Sequence, residues 1–169
     1  MEKQALEILQ KYWGYRNFRP LQTEIIQAVL SGKDAIALLP TGGGKSLCYQ
    51  VPGMILDGLV IVVTPLIALM KDQVQHLLDR DIPALAIHSG MSFREIDREL
   101  DNTVHGKYKF IYVSPERLQT ELFIERFKRM KVAFLAVDEA HCISQWGYDF
   151  RPVYLKISNL KNFKPELKT

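Results

Sequence analysis

An open α/β fold, a mostly parallel sheet with helices on both faces, is predicted by three features of this 169-residue chain. Short apolar runs bounded by turn residues recur along it. Amphipathic stretches of helical length separate those runs. The polar residues with chemical potential gather just after the apolar runs, at the edge where ligands bind such sheets.

The elements follow in order. Residues 2–13, EKQALEILQKYW, place Leu6, Leu9 and Trp13 at helical spacing, and Gly14 offers a stop. Pro20 opens a second helix, PLQTEIIQAVLSG, with Leu21, Ile25, Ile26 and Val29 on one face and Gly32 at its end. Then the pattern changes. DAIALL (34–39), LVIVVT (59–64), ALAIH (84–88), FIYVS (110–114) and VAFLAVD (132–138) read as strands buried on both faces. Helical patterns lie between them. KSLCYQVPGMIL is one, with Pro52 expected to bend or end it. PLIALMKDQVQHLLDR is the next, SFREIDRELDNTV begins with a capping box of Ser92 and Glu95, and LQTELFIERFKRM closes the series. A short helical pattern follows within 152–169. Strand alternating with helix implies right-handed crossovers.

Length and composition fit one domain spanning 1–169. With 47% hydrophobic and 24% charged residues, the chain can bury a core without disulfides. The net charge of +3 is a weak pointer toward nucleic acid. Cys48 and Cys142 lack CxxC spacing and fit a reducing, intracellular setting, in the cytoplasm with a bacterial nucleoid or in a nucleus. No apolar run approaches the ~20 residues that span a bilayer, so no membrane partner is expected.

Two stretches carry the chemistry. PTGGGKS (40–46) lies between an apolar run and a helix. Thr41, Gly42, Gly43 and Gly44 let the backbone curl around a phosphate with N–H groups inward. Lys45 reaches the β- and γ-phosphates and the Ser46 hydroxyl ligates Mg²⁺. The strict G-x-x-x-x-G-K-[ST] pattern has Gly where this chain has Leu39; the Thr-Gly-x-Gly-Lys-Ser variant is also a P-loop form. FLAVDEAH then supplies the acidic pair such a site needs. Asp138 is expected to hold Mg²⁺ through a water, and Glu139 to orient and deprotonate the attacking water. ATP and Mg²⁺ are therefore the expected cofactors of a P-loop NTPase. His141 and Cys142 alone do not make a four-ligand zinc site.

Beyond these motifs, the chain resembles the superfamily 2 helicases, and within them the RecQ family of DNA helicases. The resemblance covers nearly the whole chain. It rests on YRNFRPLQ (15–22), LPTGGGKSLCYQ, TPLIALMKDQV (64–74), YVSPERL (112–118), DEAH and the aromatic-rich CISQWGYDFRP. It implies that Gln22 reads the adenine edge, Tyr15 stacks on the base and Arg19 sits near the nucleotide. It also implies that His141, Trp146, Phe150 and Arg151 contact nucleic acid or couple it to hydrolysis. The chain departs from the family pattern at Leu21 (usually Gly), Tyr148 (usually His) and Val153 (usually Glu). By the residues alone, Thr64, Ser89 and Ser114 serve equally as helix caps or as phosphate contacts. Lys71 and Arg117 read as surface charges or backbone contacts, Trp146 and Phe150 as base-stacking or core residues, and RFKRM (126–130) as a solvated face.

The resemblance implies the first of two RecA-like lobes of a motor that moves along single-stranded DNA and unwinds duplex 3′ to 5′. A second lobe of the same polypeptide would follow and supply an arginine finger. Alone, the chain is expected to bind nucleotide weakly, hydrolyse it slowly and unwind nothing. Three alternatives stand beside this reading: a DEAD/DEAH-type RNA helicase lobe, a P-loop metabolic kinase, and a nucleic-acid-binding module with a degenerate ATP site.

Overall fold

Three helices precede the first strand. The computed structural model describes residues 2–40, 42–144 and 151–169. These fall into two compact units, 1–57 with 168–169, and 58–167.

In the first unit, α1 (Glu2–Trp13), α2 (Gln22–Leu30) and α3 (Leu47–Ile55) form where the apolar spacing predicts helices. Their apolar faces meet. Ala5 and Leu9 of α1, Ile26 of α2 and Val51 of α3 make one buried cluster, flanked by Leu6, Trp13 and Phe18. Pro52 does not end α3 but lies inside it, and its carbonyl accepts the closing bond from Leu56 N–H at 2.9 Å. Burial of Val51, Pro52 and Gly53 on this face offsets the backbone bond that proline cannot donate.

The predicted strand at 34–39 does not form. A strand exists only where a neighbour satisfies its N–H and C=O groups. Here Ala35 N–H donates to the Thr169 carbonyl at 3.0 Å and Thr169 N–H to Asp34 Oδ1 at 2.8 Å. Among the described residues no strand pairs with this segment. Ile36 and Leu38 are consequently 90% and 83% exposed. The apolar composition of DAIALL indicated a strand, but composition supplies no pairing partner.

The second unit holds the sheet. The other four predicted strands appear as β1 (Leu59–Val63), β2 (Ala84–Ile87), β3 (Phe110–Val113) and β4 (Val132–Val137). All pairings are parallel, in the order β2-β3-β1-β4. β1 is buried at every position and packs on both faces, as its unbroken apolar run requires. Leu59, Ile61 and Val63 point to one face, toward a core containing Ile96 and Leu100 of α5 (Phe93–Val104) and Phe123 and Phe127 of α6 (Glu121–Arg129). α4 (Ile67–Leu78) packs against β2 and β3 and buries Met70, Val74 and Leu77, which take no part in that first-face core.

Local chemistry sets the helix ends. The capping box forms at α5: Glu95 N–H donates to Ser92 Oγ at 3.3 Å, and Ser92 N–H to Glu95 Oε2 at 2.8 Å. Thr120 caps α6 through Phe123 N–H at 3.4 Å. The predicted pattern after Pro152 becomes a 3-10 helix, Pro152–Asn162. Its buried residues, Tyr154, Ile157 and Leu160, repeat every third position, which matches the 3-10 period and lines them along one stripe.

Glu99 of α5 is buried yet ionised. Tyr108 Oη donates to Glu99 Oε2 at 2.5 Å, Asn102 Nδ2 to the same oxygen at 2.9 Å, and Arg98 pairs with Oε1 at 3.0 Å. These donors, Tyr108 foremost, hold the Glu99 carboxyl down at about 2. A carboxyl with a folded value below its unfolded one stabilises the fold above the unfolded value, and that stability is lost as pH falls through the folded value. Glu99→Gln is therefore expected to lower stability at pH 6, with the deficit shrinking from about pH 4.5 down to about 2. Denaturant titrations of both proteins across that range check it; a pH-independent difference would contradict it.

Candidate nucleotide and nucleic-acid sites

The glycine-rich loop belongs to the first unit. It leaves Pro40, and Gly43 N–H donates back to the Pro40 carbonyl at 2.9 Å. Gly42 and Gly44 take φ of 76° and 75°, the left-handed region. A Cβ at Gly44 would also lie 2.5 Å from Gln22 Nε2, so a side chain there would push Gln22 off the loop. The chain then turns into α3, with Leu47 N–H on the Gly44 carbonyl at 3.1 Å and Gln50 N–H on the Ser46 carbonyl at 2.9 Å. Among the described residues, no backbone carbonyl accepts from the N–H of Gly42, Gly44, Lys45 or Ser46. Unpaired donors at a helix N-terminus are suited to accept a phosphate. The Lys45 side chain is exposed and, among the described residues, forms no ion pair. Thr41 lies outside the described residues.

The loop's carbonyls are held from the segment that resembles an adenine reader. Gln22 is almost wholly buried, and its Nε2 donates to the carbonyls of Gly43 at 3.1 Å and Gly44 at 3.0 Å. Its Oε1 accepts from Arg19 N–H at 2.9 Å, and the Arg19 guanidinium donates to the Gly42 carbonyl. Tyr15 is 53% exposed. In this arrangement Gln22 and Arg19 brace the phosphate loop, a contact the sequence does not reveal. Cys48, in the first turn of α3, has its thiol pushed up to about 11 by burial, so it stays protonated and unreactive.

The second set of residues lies on the sheet. Val63 pairs with Val113 and with Val137, and Ile87 pairs with Val113, so these four form one registered row. The next residue on each strand is Thr64, His88, Ser114 and Asp138. Parallel register thus delivers four polar groups to one edge. Thr64 is buried, and among the described residues its hydroxyl has no hydrogen-bond partner. Beyond β1, β2 and β3 opens a cavity of about 340 Å³, lined among others by Pro65, His88, Ser89, Ser114, Arg117 and Thr120. Ser114 Oγ accepts from Arg117 N–H at 3.4 Å, so its hydroxyl also caps the following turn.

Asp138 follows β4 directly, its N–H donating to the Val63 carbonyl at 2.8 Å. The chain then reverses sharply because Glu139 adopts φ 51° and ψ 40°. A non-glycine residue in this conformation costs on the order of 1–2 kcal/mol and persists only where its surroundings fix it. Here Glu139 N–H donates to Asp138 Oδ1 at 2.9 Å, and the Glu139 carbonyl accepts from Cys142 N–H at 2.9 Å. His141 Nδ1 stands 3.1 Å from Glu139 Oε2. Tyr154 Oη donates to the Asp138 carbonyl at 3.2 Å, and Arg151 N–H to the Cys142 carbonyl at 2.9 Å. Trp146, Tyr148 and Phe150 lie outside the described residues. Tyr154 is the site-adjacent residue that sequence reading missed. Its spacing with Ile157 and Leu160 marks it as buried, but nothing in the sequence announces its bond to Asp138.

A phosphate cradle ahead of a helix, together with an acidic pair at the carboxyl edge of a parallel sheet, defines the P-loop NTPase class. Comparison with known proteins narrows this. Residues 19–169 match the family model of the DEAD/DEAH box helicase, and the chain belongs to that family. It is 46% identical to the ATP-dependent DNA helicase RecQ of Pasteurella multocida over 98% of its own length and 26% of that protein's. It is 48% identical to the probable ATP-dependent DNA helicase RecS of Bacillus subtilis over 92% of its length and 31% of that protein's. The chain thus spans roughly a quarter to a third of these curated relatives. Its fold is that of a crystal structure of a hypothetical ATP-dependent RNA helicase from Sulfolobus tokodaii, with a TM-score of 0.72, 20% identity, and coverage of 99% of this chain and 49% of that one. The RecA-like fold is therefore common to both.

Leu21 supplies a test of the loop brace. It opens α2 at φ 70° and is 52% exposed, at the turn that sets Arg19 against Gln22. Leu21→Gly is expected to raise stability by about 0.5–1 kcal/mol, because relief of the left-handed strain exceeds the extra flexibility of the unfolded chain. Chemical denaturation measures it, and a loss of stability would contradict the strain argument.

Proposed function

We propose that this chain is the first, ATP-binding lobe of a RecQ-type ATP-dependent DNA helicase that moves 3′ to 5′ on single-stranded DNA and unwinds duplex. One observation carries this most: the acidic pair and the row of Thr64, His88 and Ser114 leave one registered edge of one parallel sheet. Nucleotide chemistry and backbone-phosphate contacts then share a rigid support. The names of the relatives supply DNA as the polymer.

In this reading the N–H groups of Gly42, Gly44, Lys45 and Ser46 take the phosphates, with Thr41 and Gly43 completing the loop. The Lys45 ammonium neutralises the β- and γ-phosphate oxygens. Ser46 and Asp138 present a hydroxyl and a carboxylate, hard oxygen donors suited to Mg²⁺, and would hold it. Bound there, Mg²⁺ supplies charge neutralisation to the phosphate oxygens. Glu139 orients the attacking water and takes its proton, and His141, 3.1 Å away, steadies that carboxylate. Gln22 and Tyr15 take the adenine, with Arg19 beside it. Reading adenine requires Gln22 Nε2 to release at least one of the loop carbonyls it now holds. Thr64, Ser89 and Ser114 contact phosphates of a single strand from the cavity side. Trp146, Phe150 and Arg151 relay strand occupancy to the acidic pair. A second lobe of the same polypeptide supplies the arginine finger, worth ~10³–10⁵ in rate. The protein works inside the cell on DNA in a bacterial cytoplasm or a nucleus.

Lys45→Ala in the longer protein is expected to reduce DNA-stimulated ATP hydrolysis by about 10²–10³-fold, the usual loss on removing one fixed charge-stabilising donor. Steady-state turnover with single-stranded DNA tests this. Turnover within a few-fold of the unmodified protein would contradict the assigned phosphate site.

A further inference from the structure

Tyr154 is a buried phenol whose hydroxyl touches the acidic pair and whose presence the ATP chemistry does not itself require. Its ring is 1% exposed and sits in the first-face core with Ile157 and Leu160. The 3-10 period of Pro152–Asn162 stacks these three residues along one stripe, so the ring is fixed by packing at three successive turns. From that anchor the hydroxyl reaches sixteen residues back along the chain to the Asp138 carbonyl, at 3.2 Å.

That carbonyl belongs to the peptide joining Asp138 to Glu139. The same peptide's N–H is held by Asp138 Oδ1 at 2.9 Å. The peptide is therefore gripped on both sides, by the Asp138 carboxylate and by Tyr154. Glu139, immediately after it, is one of three described non-glycine residues at positive φ. Such a backbone stays put only when over-determined. Rotation of this peptide would relax Glu139 and swing its carboxylate, and would also draw Asp138 Oδ1 out of place.

We infer that Tyr154 is a positioning residue: its hydroxyl fixes the Asp138–Glu139 peptide and thereby the directions of both carboxylates. The inference rests on the roles proposed above for Asp138 and Glu139. Burial pushes the phenol above its ordinary value, in keeping with a hydroxyl that donates. Arg151 N–H on the Cys142 carbonyl pins together the two ends of the intervening segment, and Tyr154 N–H on the Arg151 carbonyl at 3.0 Å joins that pin to the anchor.

Tyr154→Phe removes the hydroxyl and keeps the ring. In the longer protein with saturating single-stranded DNA, kcat for ATP hydrolysis is expected to fall about tenfold or more, as for other groups that orient a metal-binding carboxylate, with KM for ATP changed less than about twofold. Amide hydrogen exchange without nucleotide is expected to speed up over 138–143 while β1 and β3 keep their protection. An unchanged kcat, or exchange that rises across the whole sheet together with a raised KM, would make Tyr154 a packing residue and overturn the inference. If the unmodified protein shows no DNA-stimulated turnover, the functional reading fails and the inference with it. Turnover in the unmodified protein matched by Tyr154→Phe overturns the inference alone.

Discussion

Parallel register in one four-stranded sheet is the constraint on which the strand-edge site depends. Four strands running the same way, with Val63, Ile87, Val113 and Val137 abreast, must release their next residues along one line. The register is fixed because each strand is apolar on both faces and sandwiched between helices, so a one-residue slip would exchange every side chain between the two cores. Thr64, His88, Ser114 and Asp138 owe their common edge to Leu59, Ile61 and their neighbours, which are buried in the sheet. A polar substitution deep in β1 would therefore damage the site as surely as one at the edge.

Two backbone positions carry strain next to the chemistry. Leu21 turns the chain so that Arg19 and Gln22 grip the glycine loop, and Glu139 turns it so that the acidic pair leaves the sheet. In both places side-chain bonds to backbone carbonyls hold the geometry: Gln22 and Arg19 at the loop, Tyr154 at the acidic pair. Each carbonyl bond fixes an adjacent N–H or carboxylate without occupying it. That leaves the N–H groups of Gly42, Gly44, Lys45 and Ser46 free of backbone carbonyls among the described residues.

Much of this was legible in the sequence. The helices, four of the five strands, the capping box and the edge location of the polar residues follow from apolar period and turn chemistry, which are local properties. DAIALL failed as a strand because pairing is not local: Ile36 and Leu38 are apolar in sequence and exposed in space. Pro52 was tolerated because tertiary burial outweighed one missing backbone bond. The glycine loop and DEAH could be recognised because their chemistry needs contiguous residues. The Gln22 brace spans twenty-one residues and the Tyr154 bond sixteen, and no period or motif encodes such contacts.

The proposed function requires that DNA stimulate ATP hydrolysis by the whole protein. The most direct test measures ATP turnover by the longer protein with single-stranded DNA and with RNA of matching length and sequence. The account predicts that DNA stimulates turnover about tenfold more than RNA, the sugar hydroxyl being the feature that separates the two polymers. Equal or greater stimulation by RNA, or turnover indifferent to both, would contradict it.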